Sequence, residues 1–403
     1  MINKKIIVLL AAVVMITFPL FVGWIPLFGE FIPKVLVLVY VVIFASYLMS
    51  NKAFTCLVVF YLYVILQSMA LGYGFDFISW FANFMNYALP VLLLQAAIKY
   101  DNEKTVNVLA KFSIVFIFVT VVLSILVMLR DPGAMRYQQG LIIQGELAMA
   151  NVFRQQGLAS YSFAAMIMCM PAVLISIVKS STIKKIKPLA IIGIVLSLIF
   201  MWMGQVTTTL LICICLAFVS FFIKNKSSNG MIVGGLLLIV IVGLFGGGII
   251  DAVRPYTEGT AMEAKFDNFN AMSHGGVDET EEGSVQGRLS LTELTLNVFI
   301  QNPLFGDCHG YIGGHNFLID RFALYGILGA IPFFFMLFYS YKMALDYLPK
   351  EKHSIYKLIF AGFIALGLLK NMSGMEYWLF MFCFYPFILK YSSSLLNHKI
   401  KPV

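Results

Sequence analysis

This sequence predicts an all-α fold of about twelve membrane-crossing helices, with its polar chemistry gathered in two long loops on one side. First, 60% of its 403 residues are hydrophobic and 12% are charged, against roughly 45–50% and about 25% in soluble domains. A water-soluble core cannot hide that much apolar surface, whereas a bilayer can. Second, the apolar residues come in runs near the ~20 residues that a helix needs to cross a hydrocarbon layer. Lipid offers no partner for backbone N–H and C=O groups, so such runs fold as helices. Third, lysines are dense in alternate connections and sparse in the others, as a chain threaded through a membrane requires.

Spans are expected near residues 6–28, 35–50, 53–71, 77–98, 106–129, 159–178, 188–204, 207–223, 231–250, 322–341, 355–369 and 375–391. The first follows Lys4 and Lys5 like a signal peptide, but Pro19, Trp24 and Pro26 stand where a small-residue cleavage site would be. It therefore reads as an uncleaved span. With the N-terminus inside, 19 of the 28 basic residues fall in inner connections or span ends, and both termini are inside. All six arginines fall outside: Arg130, Arg136, Arg154, Arg254, Arg288 and Arg321. Most carboxylates are outside too, so the net charge of +8 reflects topology and gives no sign of nucleic-acid binding.

Five of the six cysteines (Cys56, Cys169, Cys213, Cys215 and Cys383) fall in expected spans, and only Cys308 lies in a loop. That excludes a disulfide framework. Cys308, His309 and His315 lack the further ligands that a metal site needs, so no metal is expected.

The chain reads as one membrane domain, 1–403, with two long outer loops at 130–158 and 251–321. Loops beyond about 12–15 residues are uncommon unless they are functional or disordered. The second contains the solvated acidic run 278–283, after which Leu291, Leu294 and Val298 recur at helical spacing up to Asn302-Pro303. An amphipathic helix is expected near 288–301, with Ser290 and Glu293 as a capping box. Arginine grips phosphate through a planar fork while lysine acts as a point charge. Placing every arginine outside therefore points to an anion site there. Arg136 and Arg154 flank the first loop and Arg288 opens the helix of the second. Arg321 stands where span ten begins. His315 is the proton-transfer candidate among them, since imidazole titrates near neutrality. Asn316 is expected to cap span ten, which would set the His315 ring beside a helix N-terminus. His274 and His309 lie in more polar surroundings, and His353 and His398 fall inside.

The stretch from Gly287 to Gly329 resembles the carboxy-terminal region of bacterial O-antigen polymerases and O-antigen ligases. The resemblance rests on Arg288 before a helix, the turn Asn302-Pro303-Leu304-Phe305-Gly306, and His315-Asn316 followed by Gly326 and Gly329. It covers about a tenth of the chain. Two short motifs depart from the family pattern: Thr292 stands four residues after Arg288 where the ligases have Leu, and Leu147 stands eleven after Arg136 where polymerases have Gly. The resemblance implies a GT-C-type glycosyltransferase in the bacterial inner membrane, with its active site on the periplasmic side. Such enzymes need no metal or nucleotide cofactor. Their donor is an undecaprenyl-diphosphate-linked oligosaccharide, and a chain-length regulator can be a further partner. Carried onto this chain, His315 is the base and Arg288 a diphosphate ligand, while Arg136 and Arg154 follow by location alone. Arg321 and Asn316 are further candidates for binding substrate. Polymerisation onto a second lipid-linked unit is the leading expectation and ligation to lipid A-core the near alternative. A lipid-linked oligosaccharide transporter is more distant, because these spans carry almost no internal charge.

Overall fold

The computed structural model describes residues 18–19, 35, 50–72, 76–180, 186–223, 285–308 and 316–397. Among them the chain is helical, without strands. The helices are α1 (Lys52–Ala70), α2 (Phe77–Lys99), α3 (Glu103–Arg130), α4 (Ala134–Ile143), α5 (Leu147–Gln155), α6 (Tyr161–Lys179), α7 (Ile186–Met203), α8 (Thr207–Phe222), α9 (Val285–Gln301), α10 (Phe317–Tyr347), α11 (Lys350–Leu369), α12 (Met375–Leu379) and α13 (Tyr385–Asn397). Seven of these (α1, α2, α3, α6, α7, α10 and α11) are long and apolar enough to cross a membrane. α8 is apolar but shorter, at 16 residues, and α12 runs into α13 through a π-helical turn at Phe380–Phe384. The spans expected near 6–28, 35–50 and 231–250 lie outside the described residues.

Sequence accounts for the helix ends. Asn51 caps α1 by accepting from the Ala53 N–H, Asp76 caps α2 through the Ile78 and Ser79 N–H groups, and Asn102 caps α3 through Thr105. Each satisfies donors that the first helical turn leaves open. At the C-terminal end of α8 the Lys179 ammonium donates to the carbonyls of Ser220, Phe221 and Ile223 at 3.2, 2.7 and 2.9 Å, placing a cation at the negative end of the helix dipole.

Packing inverts the rule of a soluble protein. Leu62, Leu66, Val115, Leu126, Ile191, Ile192, Phe335 and Phe338 are exposed on the outside of the bundle, whereas Ser113, Thr120, Ser124 and Ser197 are buried. The hydroxyls of these four donate to carbonyls one turn earlier in their own helices, each at 2.8 Å, so burying them leaves no open donor. The centre of the core is Trp378, 1% exposed. Its ring meets Tyr87 of α2, Phe317 and Phe333 of α10, Phe363 of α11 and Phe382 of the π turn at 4.7–6.1 Å between centroids. Aromatic pairs at that range each add about 0.5–1.5 kcal/mol beyond area burial. This cluster sits directly under the start of α10.

The loop expected at 130–158 is a helical hairpin, α4 packed on α5. Left-handed Gly133 starts α4 and left-handed Gly145 stands in the connection. The helix expected near 288–301 is present as α9 but begins at Val285. Ser290 and Glu293 therefore lie inside it and form no capping box. Of the Leu291/Leu294/Val298 stripe, Leu291 and Val298 are half-buried and Leu294 is exposed. Leu294, Leu296 and Ile300 are exposed, while Thr295 is buried at 1%, and Phe299 meets Phe322 of α10 at 5.7 Å. α9 meets α10 through Thr295 and Phe299, with Leu294 and Leu296 turned outward. A helix embedded at an apolar boundary gains nothing by hiding leucine from lipid.

Candidate functional site

Three polypeptide segments meet at the start of α10, and backbone chemistry explains why. Gly326, ten residues into the helix, has φ 59° and ψ −171°, a conformation open to glycine and strained for other residues. The break leaves helical N–H and C=O groups without partners, and the turn after α9 supplies them. The Ile327 N–H donates to the Pro303 carbonyl at 2.9 Å, Leu328 N–H to Leu304 at 3.2 Å, and Asp307 N–H to Ala323 at 2.8 Å. Gln67 of α1 closes the junction by donating to the carbonyls of Phe305 (2.5 Å) and Leu324 (2.8 Å), and the Tyr63 hydroxyl also donates to Phe305 (2.9 Å). Gly306 has φ +71°, and a Cβ there would collide with the Gly326 and Tyr325 backbone. A Cβ at Gly329 would collide with the Tyr63 ring of α1. The glycines singled out in the sequence thus serve one joint, a turn inserted into a broken helix.

Asn316 is the residue before α10, but its side chain does not cap the helix. It is buried and donates instead to the Thr292 hydroxyl of α9. One turn further on, Asp320 lies near the Thr295 hydroxyl at 3.4 Å. The first N–H of α10, on Phe317, is taken by the Lys370 carbonyl at 3.3 Å, so the connection between α11 and α12 is pinned to the same point. The Lys370 ammonium reaches the Tyr161 hydroxyl at 2.6 Å and lies over that ring at 4.4 Å. Next to it, Ser160 donates to Glu376 at 2.8 Å while accepting from the Phe163 N–H that it caps. A polar seam therefore runs from Ser160 and Tyr161, at the start of the span after the first expected loop, through Lys370 and Glu376 to Asn316 and on to α9.

The candidate residues distribute as follows. Arg288 lies in α9 one turn before Thr292, with its side chain outside the described residues. His315 also lies outside them, immediately before Asn316. Arg136 and Arg154 are half-buried on the α4–α5 hairpin, where Arg154 donates to Asn151 at 3.2 Å. α4 touches α3 and the first turn of α6, but no residue of the hairpin lines the cavity at Arg321. Cys308 is a free thiol pushed up by burial, and among the described residues no cluster of metal-ligating side chains exists.

Arg321 lines a cavity of about 290 Å³ between α1, α2 and the head of α10. Its guanidinium lies over the rings of Phe317, Tyr325 and Phe333 at 4.2, 5.5 and 5.6 Å. Tyr61, Trp80, Asn83, Tyr87 and Tyr325 form the walls, with Asp76, Ser68 and Ser373 beside them. The tyrosines and Trp80 fall in expected spans, where sequence alone offers no reason to tell them from ordinary core. For Trp80 and Tyr87 the signal that could have found them is the aromatic run Phe77, Trp80, Phe81, Phe84 and Tyr87 at the start of α2; Tyr61 and Tyr325 had none.

The described residues define a helical protein with seven apolar helices long enough to cross a membrane. No protein-family model matches the sequence, and no curated protein matches it.

Proposed function

We propose that the chain is a glycan polymerase of the bacterial inner membrane. It transfers an oligosaccharide from undecaprenyl diphosphate to a sugar hydroxyl of a second lipid-linked repeat unit, on the periplasmic side. The observation that carries the reading is the pinning of Asn316, the residue after His315, to Thr292, one turn after Arg288. The residue after a candidate base and the residue one turn after a candidate diphosphate ligand meet there, although His315 and Arg288 are 27 positions apart in sequence. The seam that holds the joint reaches the start of the span after the first expected loop through Lys370 and Tyr161.

In this reading the acceptor hydroxyl oxygen attacks the anomeric carbon while the carbon–oxygen bond to the diphosphate breaks. His315 takes the hydroxyl proton. The lipid diphosphate leaves with the bonding electron pair, and arginine stabilises its growing charge. In this reading Arg288 binds the donor diphosphate, and Arg136 and Arg154 on the hairpin serve an incoming lipid-linked unit. A GT-C-type architecture suits this chemistry, because the lipid tail stays in the membrane while the glycan extends into water.

The test is product analysis with purified protein in lipid and a synthetic polyprenyl-diphosphate repeat unit. A ladder of polymers formed without lipid A-core is the expected result. Transfer that appears only when lipid A-core is added would instead make the protein a ligase. Absence of both products from folded, lipid-bound protein would sink the enzymatic reading.

A further inference from the structure

We propose that the cavity at Arg321 is a subsite for one saccharide residue bearing a carboxylate, a uronic-acid-type unit of the glycan. The inference rests on the polymerase reading for the origin of the saccharide, but its binding chemistry stands on the cavity itself.

Size comes first. About 290 Å³ is at the small end of the roughly 300–1,000 Å³ found for small-molecule sites, which suits one sugar ring and not a glycan segment. The second point is the cation. Arginine carries five N–H donors, and the Nε–H of Arg321 donates to the Phe317 carbonyl at 3.4 Å. Among the described residues its remaining donors have no hydrogen-bond partner and no carboxylate forms an ion pair with it. Asp320, its sequence neighbour, accepts from the Thr295 hydroxyl of α9 and acts on the guanidinium only through space, without an ion pair. A guanidinium held on three rings with its fork unfilled matches the two oxygens of a carboxylate.

The walls give the saccharide character. Trp80 is stacked parallel to Phe84 at 5.7 Å and 6° and near Phe77 at 5.9 Å. Its indole N–H donates to the Tyr61 carbonyl at 3.3 Å, which fixes the ring as a rigid wall. The aromatic rings give the cavity rigid apolar walls, and Asn83, Ser68 and Ser373 offer amide and hydroxyl groups for the hydroxyls of a pyranose. The other charged group at the cavity is Asp76. Bonds from the Ser79 hydroxyl and N–H hold its carboxyl below the usual carboxylate range. As the cap of α2 it has its oxygens engaged by the Ile78 and Ser79 donors, and among the described residues no ion pair joins it to Arg321. Tyr61, Tyr87 and Tyr325 complete the wall.

The experiment is equilibrium binding to the full-length protein in detergent, read by tryptophan fluorescence, with methyl glucuronide, methyl glucoside and inorganic phosphate as separate probes. Methyl glucuronide should bind at least 10-fold more tightly than methyl glucoside, and phosphate should not displace it. Arg321→Lys retains a charge on the rings but loses the fork, and should weaken glucuronide binding by 10-fold or more. Asn83→Asp, at an exposed wall position, should do the same by repulsion with the melting temperature unchanged. Equal binding of glucoside and glucuronide, displacement by phosphate, or unchanged binding in both variants would each overturn the subsite. Polymer ladders run on the same variants separate the two claims: loss of the subsite with ladders intact leaves the polymerase reading standing.

Discussion

Asn316 shows how one side chain links the local structure to the site. Sequence position suggests a helix cap, since Asn before a helix commonly accepts from its second or third N–H. Here the Lys370 carbonyl takes the Phe317 N–H, and the buried amide of Asn316 is free to hold Thr292 across the interface. Hydrogen bonds between helices in membrane proteins are worth about 0.6 kcal/mol on average. A double-mutant cycle with Asn316→Ala and Thr292→Val should therefore give a coupling of about 0.5–1 kcal/mol in unfolding free energy. Additivity of the two substitutions would show that the amide does not fasten α9. At the same scale, Arg321→Ala removes a guanidinium packed on three rings. The expected loss is about 1–2 kcal/mol, seen as a lower melting temperature in detergent, and an unchanged melting temperature would argue against that packing.

Among the elements, the joint between the Pro303–Gly306 turn and the break in α10 carries the site. The run of glycines was legible in sequence as a pattern. Its cause was not, because it lies in the backbone approach of two segments twenty residues apart. Gly326→Ala puts a Cβ at positive φ and against the Leu304 backbone. Strain and overpacking together predict a loss of about 2–4 kcal/mol, measured by thermal unfolding; a variant as stable as the parent would contradict the joint. α9 teaches a different lesson. Its helical period was visible from Leu291, Leu294 and Val298, yet it meets its neighbours through Thr292, Thr295 and Phe299. Periodicity locates a helix in either solvent, but in lipid the apolar stripe no longer tells which face meets the protein. The same ambiguity hid Tyr61, Trp80 and Tyr87, which became neighbours of Arg321 only once α1, α2 and α10 had packed.

For the whole molecule, composition and run length suffice to expect the helical class found among the described residues, because continuous apolar runs of that length lack the alternation of a closed barrel. The charge pattern adds a sidedness that is open to test. Ser373 at the Arg321 cavity and Glu103 at the start of α3 are both exposed and belong to connections of opposite expected side. In a Cys308→Ser background, Ser373→Cys should react with an impermeant maleimide in spheroplasts, and Glu103→Cys only after the membrane is opened. The reverse pattern would invert the protein and remove the periplasmic site.

The central claim is that the joint at α10 carries glycosyl transfer with His315 as the base. Its most direct measurement is the rate of one round of transfer between purified lipid-linked repeat units, with the parent protein and with folded His315→Ala. A general base contributes typically about 10²–10⁴-fold, so the account predicts a loss of that size with donor binding retained. Transfer at the parent rate by His315→Ala would contradict it.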